Sequence, residues 1–205
     1  MKILNLYSGI GGNRKLWGDD HEITAVEIDP NIAKIYQDFF PKDNILVEDA
    51  HQYLLDHFKE FDFIWSSPPC PSHSRIRNMA GVGSGQNKPI YPDMKLYEEI
   101  IFLKQVYYSG GTNWRGKYVV ENVVSYYEPL ITPQIIGRHY FWANFYINPL
   151  KIKTRGHMKN NKELGEIKGF EGINDRILLR NCVEPETGLH IFQEAFREYK
   201  TLFSS

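Results

Sequence analysis

Cys70 is the residue with the most pointed chemistry in this sequence. It closes the run Ser67-Pro68-Pro69-Cys70, in which two prolines stiffen the chain just ahead of the thiol. A thiol held in one place is a candidate nucleophile once it ionises. A lone cysteine is more often a small buried hydrophobe, but the polar, turn-forming neighbours of Cys70 argue against a core site. A carboxyl follows later in Glu121-Asn122-Val123, where it could act beside the thiol. Alone, that triplet equally suits a solvated strand end. A second group of residues suits a bound ligand. The turn Ser8-Gly9-Ile10-Gly11-Gly12 lets a ligand approach the backbone closely. The Glu27 carboxylate could accept hydrogen bonds from both hydroxyls of a ribose. Asp49 could meet the exocyclic amine of an adenine, and Tyr7 could cover the ring. This outlines an adenosine site. It does not choose among adenosine cofactors, although Gly9-x-Gly11-Gly12 differs from the G-x-G-x-x-G of dinucleotide oxidoreductases.

These groups need elements to hold them. Lys2 to Tyr7 is a short apolar-rich run and reads as a buried first strand. Asn13 to Trp17 reads as the start of a helix. Ile23 to Ile28 is rich in β-branched residues and reads as a strand, after which Asp29-Pro30 supplies an N-cap and a first-turn proline. The helix behind them runs to about Phe40, before Pro41. Strands are expected at Asn44 to Glu48, Phe61 to Trp65, Tyr118 to Val120 and Phe141 to Ile147. Helices are expected at His51 to Phe58, over 93–108 and over 187–200. Residues 72–92 carry Gly81, Gly83 and Gly85 with few large apolar groups, the composition of a mobile loop. Alternating strands and helices predict an α/β fold, with a parallel sheet covered by helices on both faces. Gly9, Glu27, Asp49, Cys70 and Glu121 each follow an expected strand. Ligands of such sheets bind at the carboxyl ends of the strands.

Composition narrows the classes. The chain has 205 residues, enough for one domain with a proper core, and is 42% hydrophobic and 24% charged, as in ordinary globular proteins. No apolar run reaches membrane length. The first residues lack a signal-peptide pattern, so a cytoplasmic protein is expected, bacterial or phage-encoded. Two cysteines make no disulfide framework. His51 and His57, six apart, fit no metal-ligand pattern. The net charge of −1 requires that any nucleic-acid contact be local. One basic stretch, 151–162, carries Lys151, Lys153, Arg155, His157, Lys159 and Lys162 without an acid, which also suits a solvated loop.

Taken in order, the segments resemble the cytosine-5 DNA methyltransferase family. LYSGIGG resembles its first motif, and VEIDP its second, with Glu27 as the ribose carboxylate. SSPPCPSHS resembles the Pro-Cys motif and ENV the motif of the catalytic glutamate. RNCVEPETGLHIFQEA resembles the last motif, G-N-x-V-x-P, through Asn181, Val183 and Pro185, with Arg180 in place of the glycine. The pattern Q-x-R-x-R fits Gln134-x-Ile136-x-Arg138, with isoleucine at the first arginine.

The resemblance implies a Rossmann-like class I S-adenosylmethionine-dependent methyltransferase fold, mostly parallel sheet with helices on both faces. It divides the chain into a cofactor-binding and catalytic domain (1–145), a reduced target-recognition segment (146–180) and a C-terminal segment returning to the catalytic domain (181–205). It implies Cys70, Glu121 and Arg138 as catalytic residues, Arg138 holding the cytosine carbonyl. It implies Tyr7, Ser8, Gly9, Ile10, Gly11, Glu27, Ile28, Asp49, Ala50, Pro68, Asn181 and Val183 around S-adenosylmethionine, with no metal. Ser72, Arg75 and Arg77, beside Lys88 in the loop, together with Lys153, Arg155 and Lys159, are expected to meet nucleic acid. The expected substrate is a cytosine flipped from double-stranded DNA, with tRNA and a silent DNA-binding relic as alternatives. The small target segment suggests a short site, relaxed specificity or help from a second subunit. Restriction–modification, phage self-protection and an orphan role would all use this chemistry.

Overall fold

The computed structural model describes residues 1–75, 90–108, 113–150 and 160–198. Among them the sheet has seven strands, β1 (Lys2–Leu6), β2 (Glu22–Val26), β3 (Asn44–Leu46), β4 (Phe63–Ser66), β5 (Lys117–Val123), β6 (Gln134–Ile136) and β7 (His139–Ala143). Six helices accompany them: α1 (Pro30–Phe39), α2 (Ala50–His57), α3 (Lys95–Tyr108), α4 (Asn161–Lys168), α5 (Arg176–Asn181) and α6 (Pro185–Ala195). The strand order is β3-β2-β1-β4-β5-β7-β6. The first five strands run parallel, and β7 pairs antiparallel with both β5 and β6. This is the Rossmann-like class I methyltransferase arrangement. No helix among the described residues is long and apolar enough to cross a membrane.

The sheet is buried on both faces, which explains why its strands read as nearly continuous apolar runs. Leu4, Leu6, Val26, Ile64 and Val120 turn to one side, where Leu54 of α2 and Ile100 and Leu103 of α3 cover them. Ile3, Ile23, Phe63, Trp65 and Val119 turn to the other, against Ile191 and Phe192 of α6 and the ring of Trp17. A third cluster joins Ala25, Tyr36 of α1, Phe170 and Leu179 of α5.

Helix starts follow the expected chemistry. The Asp29 side chain accepts from the amides of Asn31 and Ile32, with Pro30 in the first turn of α1. Asp49 caps α2 in the same way. Two segments differ from the sequence reading. Asn13 to Trp17 forms turns rather than a helix, because its side chains are claimed from outside. Asn13 Nδ2 donates to Asn5 Oδ1 at 2.7 Å, Arg14 Nε to Asp43 Oδ2 at 2.9 Å, and Trp17 Nε1 to the Gly188 carbonyl at 3.2 Å. Strand β5 runs on through Glu121 and Asn122, which are buried inside the strand rather than solvated after it. The described part of 146–180 contains α4 and packs into the core, with Phe170 edge-on to Phe39 at 4.9 Å between ring centroids.

Candidate active site

The nucleophile loop leaves β4 at Ser66. Trp65 Nε1 donates to Ser67 Oγ at 2.8 Å, and Asn122 Nδ2 donates to the Pro68 carbonyl at 2.9 Å. The triplet Glu121-Asn122-Val123 therefore both grips the Pro-Pro-Cys run and presents its carboxyl there. The Cys70 carbonyl accepts from the amides of His73 and Ser74 at 2.9 and 3.0 Å, so the chain turns back directly after the thiol. Cys70 is partly exposed and unbridged. Burial pushes its thiol above the ordinary range, and the nearby Glu121 charge pushes the same way. Glu121 is 6% exposed. Burial raises its pKa, against smaller opposing effects of His139 and a hydrogen bond to Ser67. Burial thus biases both groups toward their protonated forms, and the Glu121 charge adds to the effect on the thiol.

Arg138 sits in the tight β6–β7 turn with its side chain exposed, and its carbonyl accepts from Val124. His139 stands beside the Glu121 carboxylate, with Nε2 3.8 Å from Oε1. The register explains this. β5 and β7 pair Glu121 with Phe141 and Val123 with His139, so His139 shares Glu121's face of the sheet.

The ligand half lies at the carboxyl ends of β1 to β3. Gly9 adopts φ +54, and a Cβ placed there would meet nothing within 4 Å. Its amide donates to Glu27 Oε2 at 3.0 Å, while the Asp29 amide donates to Oε1 at 3.0 Å. The Glu27 carboxylate is thus fixed in place with further acceptor capacity. The Ser8 hydroxyl is buried without a hydrogen-bond partner. Ile28, next to Glu27, is 67% exposed, a large apolar side chain open at the rim. An open backbone cradle, an orphaned hydroxyl, a fixed carboxylate and an apolar rim fit an adenosine ligand, S-adenosylmethionine included. Asp49 Oδ1 is occupied by capping α2, with Lys95 Nζ 3.8 Å from Oδ2. Despite a burial penalty, the Gln52 and His51 amides hold its pKa below the usual value. Ala50 is buried as the first residue of α2. The C-terminal segment reaches this loop, since a Cβ on Gly12 would lie 2.4 Å from Cys182 Sγ and 2.5 Å from the Val183 carbonyl. Val183 is buried there, whereas Asn181 is exposed at the end of α5.

The residues expected to meet nucleic acid separate. Ser72 is buried, and its hydroxyl accepts from the Asp93 amide at 3.0 Å, so it is engaged within the fold. Arg75 is exposed, with Nε donating to the Ser125 carbonyl at 2.9 Å. Arg77, Lys88, Lys153, Arg155 and Lys159 lie outside the described residues. Sequence reasoning missed His139 and also Glu99, a buried carboxylate whose only sequence signal is an acid amid the apolar positions of α3.

Residues 1–101 match the C-5 cytosine-specific DNA methylase family. A tRNA (cytosine(38)-C(5))-methyltransferase of Spodoptera frugiperda is 40% identical over 80 residues, 36% of this chain and 24% of that protein. The Rattus norvegicus protein of the same name is 23% identical over 179 residues, covering 77% of this chain and 46% of its own length. The chain therefore spans less than half the length of these relatives. A crystal structure of Spodoptera frugiperda DNMT2 aligns with TM-score 0.38 and 31% identity over 60% of this chain and 35% of that one. Family and fold imply S-adenosylmethionine as the methyl donor. With the glycine and Pro-Cys segments on one carboxyl edge of the sheet, residues 1–101 belong to the C-5 cytosine-specific DNA methylase family, and E-N-V follows on the neighbouring strand.

Proposed function

We propose that this chain methylates carbon 5 of cytosine in nucleic acid through a transient bond between Cys70 and the base. The observation that supports it best is the joining of Cys70 and Glu121 by the Asn122–Pro68 hydrogen bond, next to a cradle suited to adenosine. S-adenosylmethionine, when bound, supplies an electrophilic methyl group. Gly9, Ser8 and Glu27 hold the adenosine end of that ligand. Cys70, as thiolate, forms a bond from Sγ to carbon 6, and the electron pair of the 5,6 double bond becomes available at carbon 5. Glu121, biased toward its protonated form by burial, donates to ring nitrogen 3 as negative charge builds there. His139 gives Glu121 a polar neighbour that can itself donate to the base. After carbon 5 is methylated, a base removes its proton, the Sγ–C6 bond breaks and the thiolate returns. The cytosine must leave its stack to reach Cys70, and exposed Arg75 would hold a phosphate beside it.

Duplex DNA is the first substrate in this reading, in line with the family description. The tRNA reading is favoured by the names of the similar proteins from Spodoptera frugiperda and Rattus norvegicus alone. Transfer of labelled methyl groups to mixed-sequence duplex DNA and to unmodified tRNA, run in parallel, separates the two. Label is expected in one polymer with the native chain and in neither with Cys70→Ser, while His139→Ala lowers the rate about tenfold or more. Label retained by Cys70→Ser would refute the covalent route.

A further inference from the structure

The chemistry above leaves one buried carboxylate unused. Glu99, on α3, is 1% exposed. Its oxygens gather three partners from three elements. The Tyr7 hydroxyl donates to Oε1 at 2.6 Å, His51 Nδ1 lies 2.9 Å from the same oxygen, and the Ser66 hydroxyl donates to Oε2 at 2.5 Å. A buried carboxylate is costly unless its lone pairs are filled. Here the groups that fill them all stand at the ligand-facing edge of the sheet. Tyr7 opens the glycine loop. Ser66 ends β4 and leads into Pro-Pro-Cys. His51 lies in the first turn of α2, just behind Asp49.

Tyr7 is the telling member. It adopts φ +52, the left-handed region that a tyrosine rarely visits. Such a conformation persists only where its surroundings over-determine it. The Tyr7 ring packs against the α2–α3 core, and its hydroxyl is held by Glu99. Burial, then the Glu99 charge, push its ionisation far above the tyrosine range, so the hydroxyl stays a donor. The entry to α3 is also tied to the chain after Cys70, through the Asp93 amide on Ser72 Oγ at 3.0 Å. One helix thus touches the loops of both halves of the site.

We infer that Glu99 is a positioning residue for the methyl-donor pocket. Through the Tyr7 hydroxyl it fixes the left-handed turn that opens the glycine loop. Through Ser66 it fixes that loop relative to the strand that carries Cys70. The inference rests on the S-adenosylmethionine reading, so its test must tell the two apart.

S-adenosylhomocysteine is titrated into the native chain, Tyr7→Phe, Glu99→Gln, Glu99→Ala and the Tyr7→Phe/Glu99→Ala double variant, with melting temperatures recorded alongside. Tyr7→Phe keeps the ring and is expected to bind about tenfold more weakly, the scale of one hydrogen bond to a charged group. Glu99→Ala is expected to lose at least as much. The double variant should bind no more weakly than Glu99→Ala, because Tyr7 acts through Glu99. Glu99→Gln, whose amide oxygen still accepts from Tyr7, should stay within about threefold of native. Losses that simply add, or a Tyr7→Phe that binds like native, would overturn the inference even if Glu99→Ala fails to fold. A native chain that does not bind S-adenosylhomocysteine overturns the donor reading itself.

Discussion

At the scale of the residue, Cys70 and Glu121 are coupled through charge. Each pushes toward its protonated form, Cys70 through burial and the Glu121 charge, Glu121 through burial. The sign of their coupling gives a clean expectation. Removing the Glu121 charge lowers the thiol's pKa and raises the thiolate fraction at a fixed pH. Glu121→Gln should therefore speed alkylation of Cys70 by iodoacetamide at pH about 8 several-fold, with the pH–rate curve moved to lower pH. The same variant should lose methyl transfer. Alkylation unchanged across pH would mean that the two groups do not interact. Cys70 was legible in the sequence because its prolines announce it. Glu27 was legible because it stands one residue before the Ile28-Asp29-Pro30 helix start. His139 was not, because its place beside Glu121 depends on antiparallel pairing between β5 and β7. Glu99 was not, because its role exists only once α3 packs against β1, α2 and β4.

At the scale of the element, turns and caps decide where the site lies. The apolar runs fixed β1 to β5 to within a few residues, and Asp29 and Asp49 marked the helix starts. The helix expected at Asn13 failed because side chains reach out to Asn5, Asp43 and Gly188 instead of completing turns of their own. α4 and α5 went unread because they are short and make their contacts through Phe170 and Leu179, far away in sequence from α1. The return of the C-terminal segment to the glycine loop carries a prediction. Gly12→Ala would thrust a methyl group to 2.4 Å from Cys182 Sγ and 2.5 Å from the Val183 carbonyl. Backbone has little room to yield, so a loss of about 1–3 kcal/mol is expected, together with weaker S-adenosylhomocysteine binding. Thermal unfolding with and without that ligand measures both. A melting temperature equal to native would mean that the segment does not press on the loop.

At the scale of the whole molecule, the fold is a sheet buried on both faces with its chemistry along one edge. The carboxyl ends of β1 to β4 bring together the glycine loop, Glu27, Asp49 and Cys70, and the buried body of β5 adds Glu121. The expected target-recognition segment contributes α4 and Phe170 to the core, so in its described part it is structural as well. With a net charge of −1, nucleic acid would have to be met through local cations such as Arg75. The chain spans less than half the length of its relatives, which makes its sufficiency as a catalyst the central question. The most direct test is to trap the adduct. Native chain and Cys70→Ser are incubated with S-adenosylmethionine and duplex DNA or tRNA containing 5-fluorocytosine, in which fluorine at carbon 5 blocks release of the thiolate. The account predicts a denaturation-resistant protein–nucleic acid complex with the native chain, absent with Cys70→Ser. No complex with either polymer, from a native chain that binds S-adenosylhomocysteine, would contradict it.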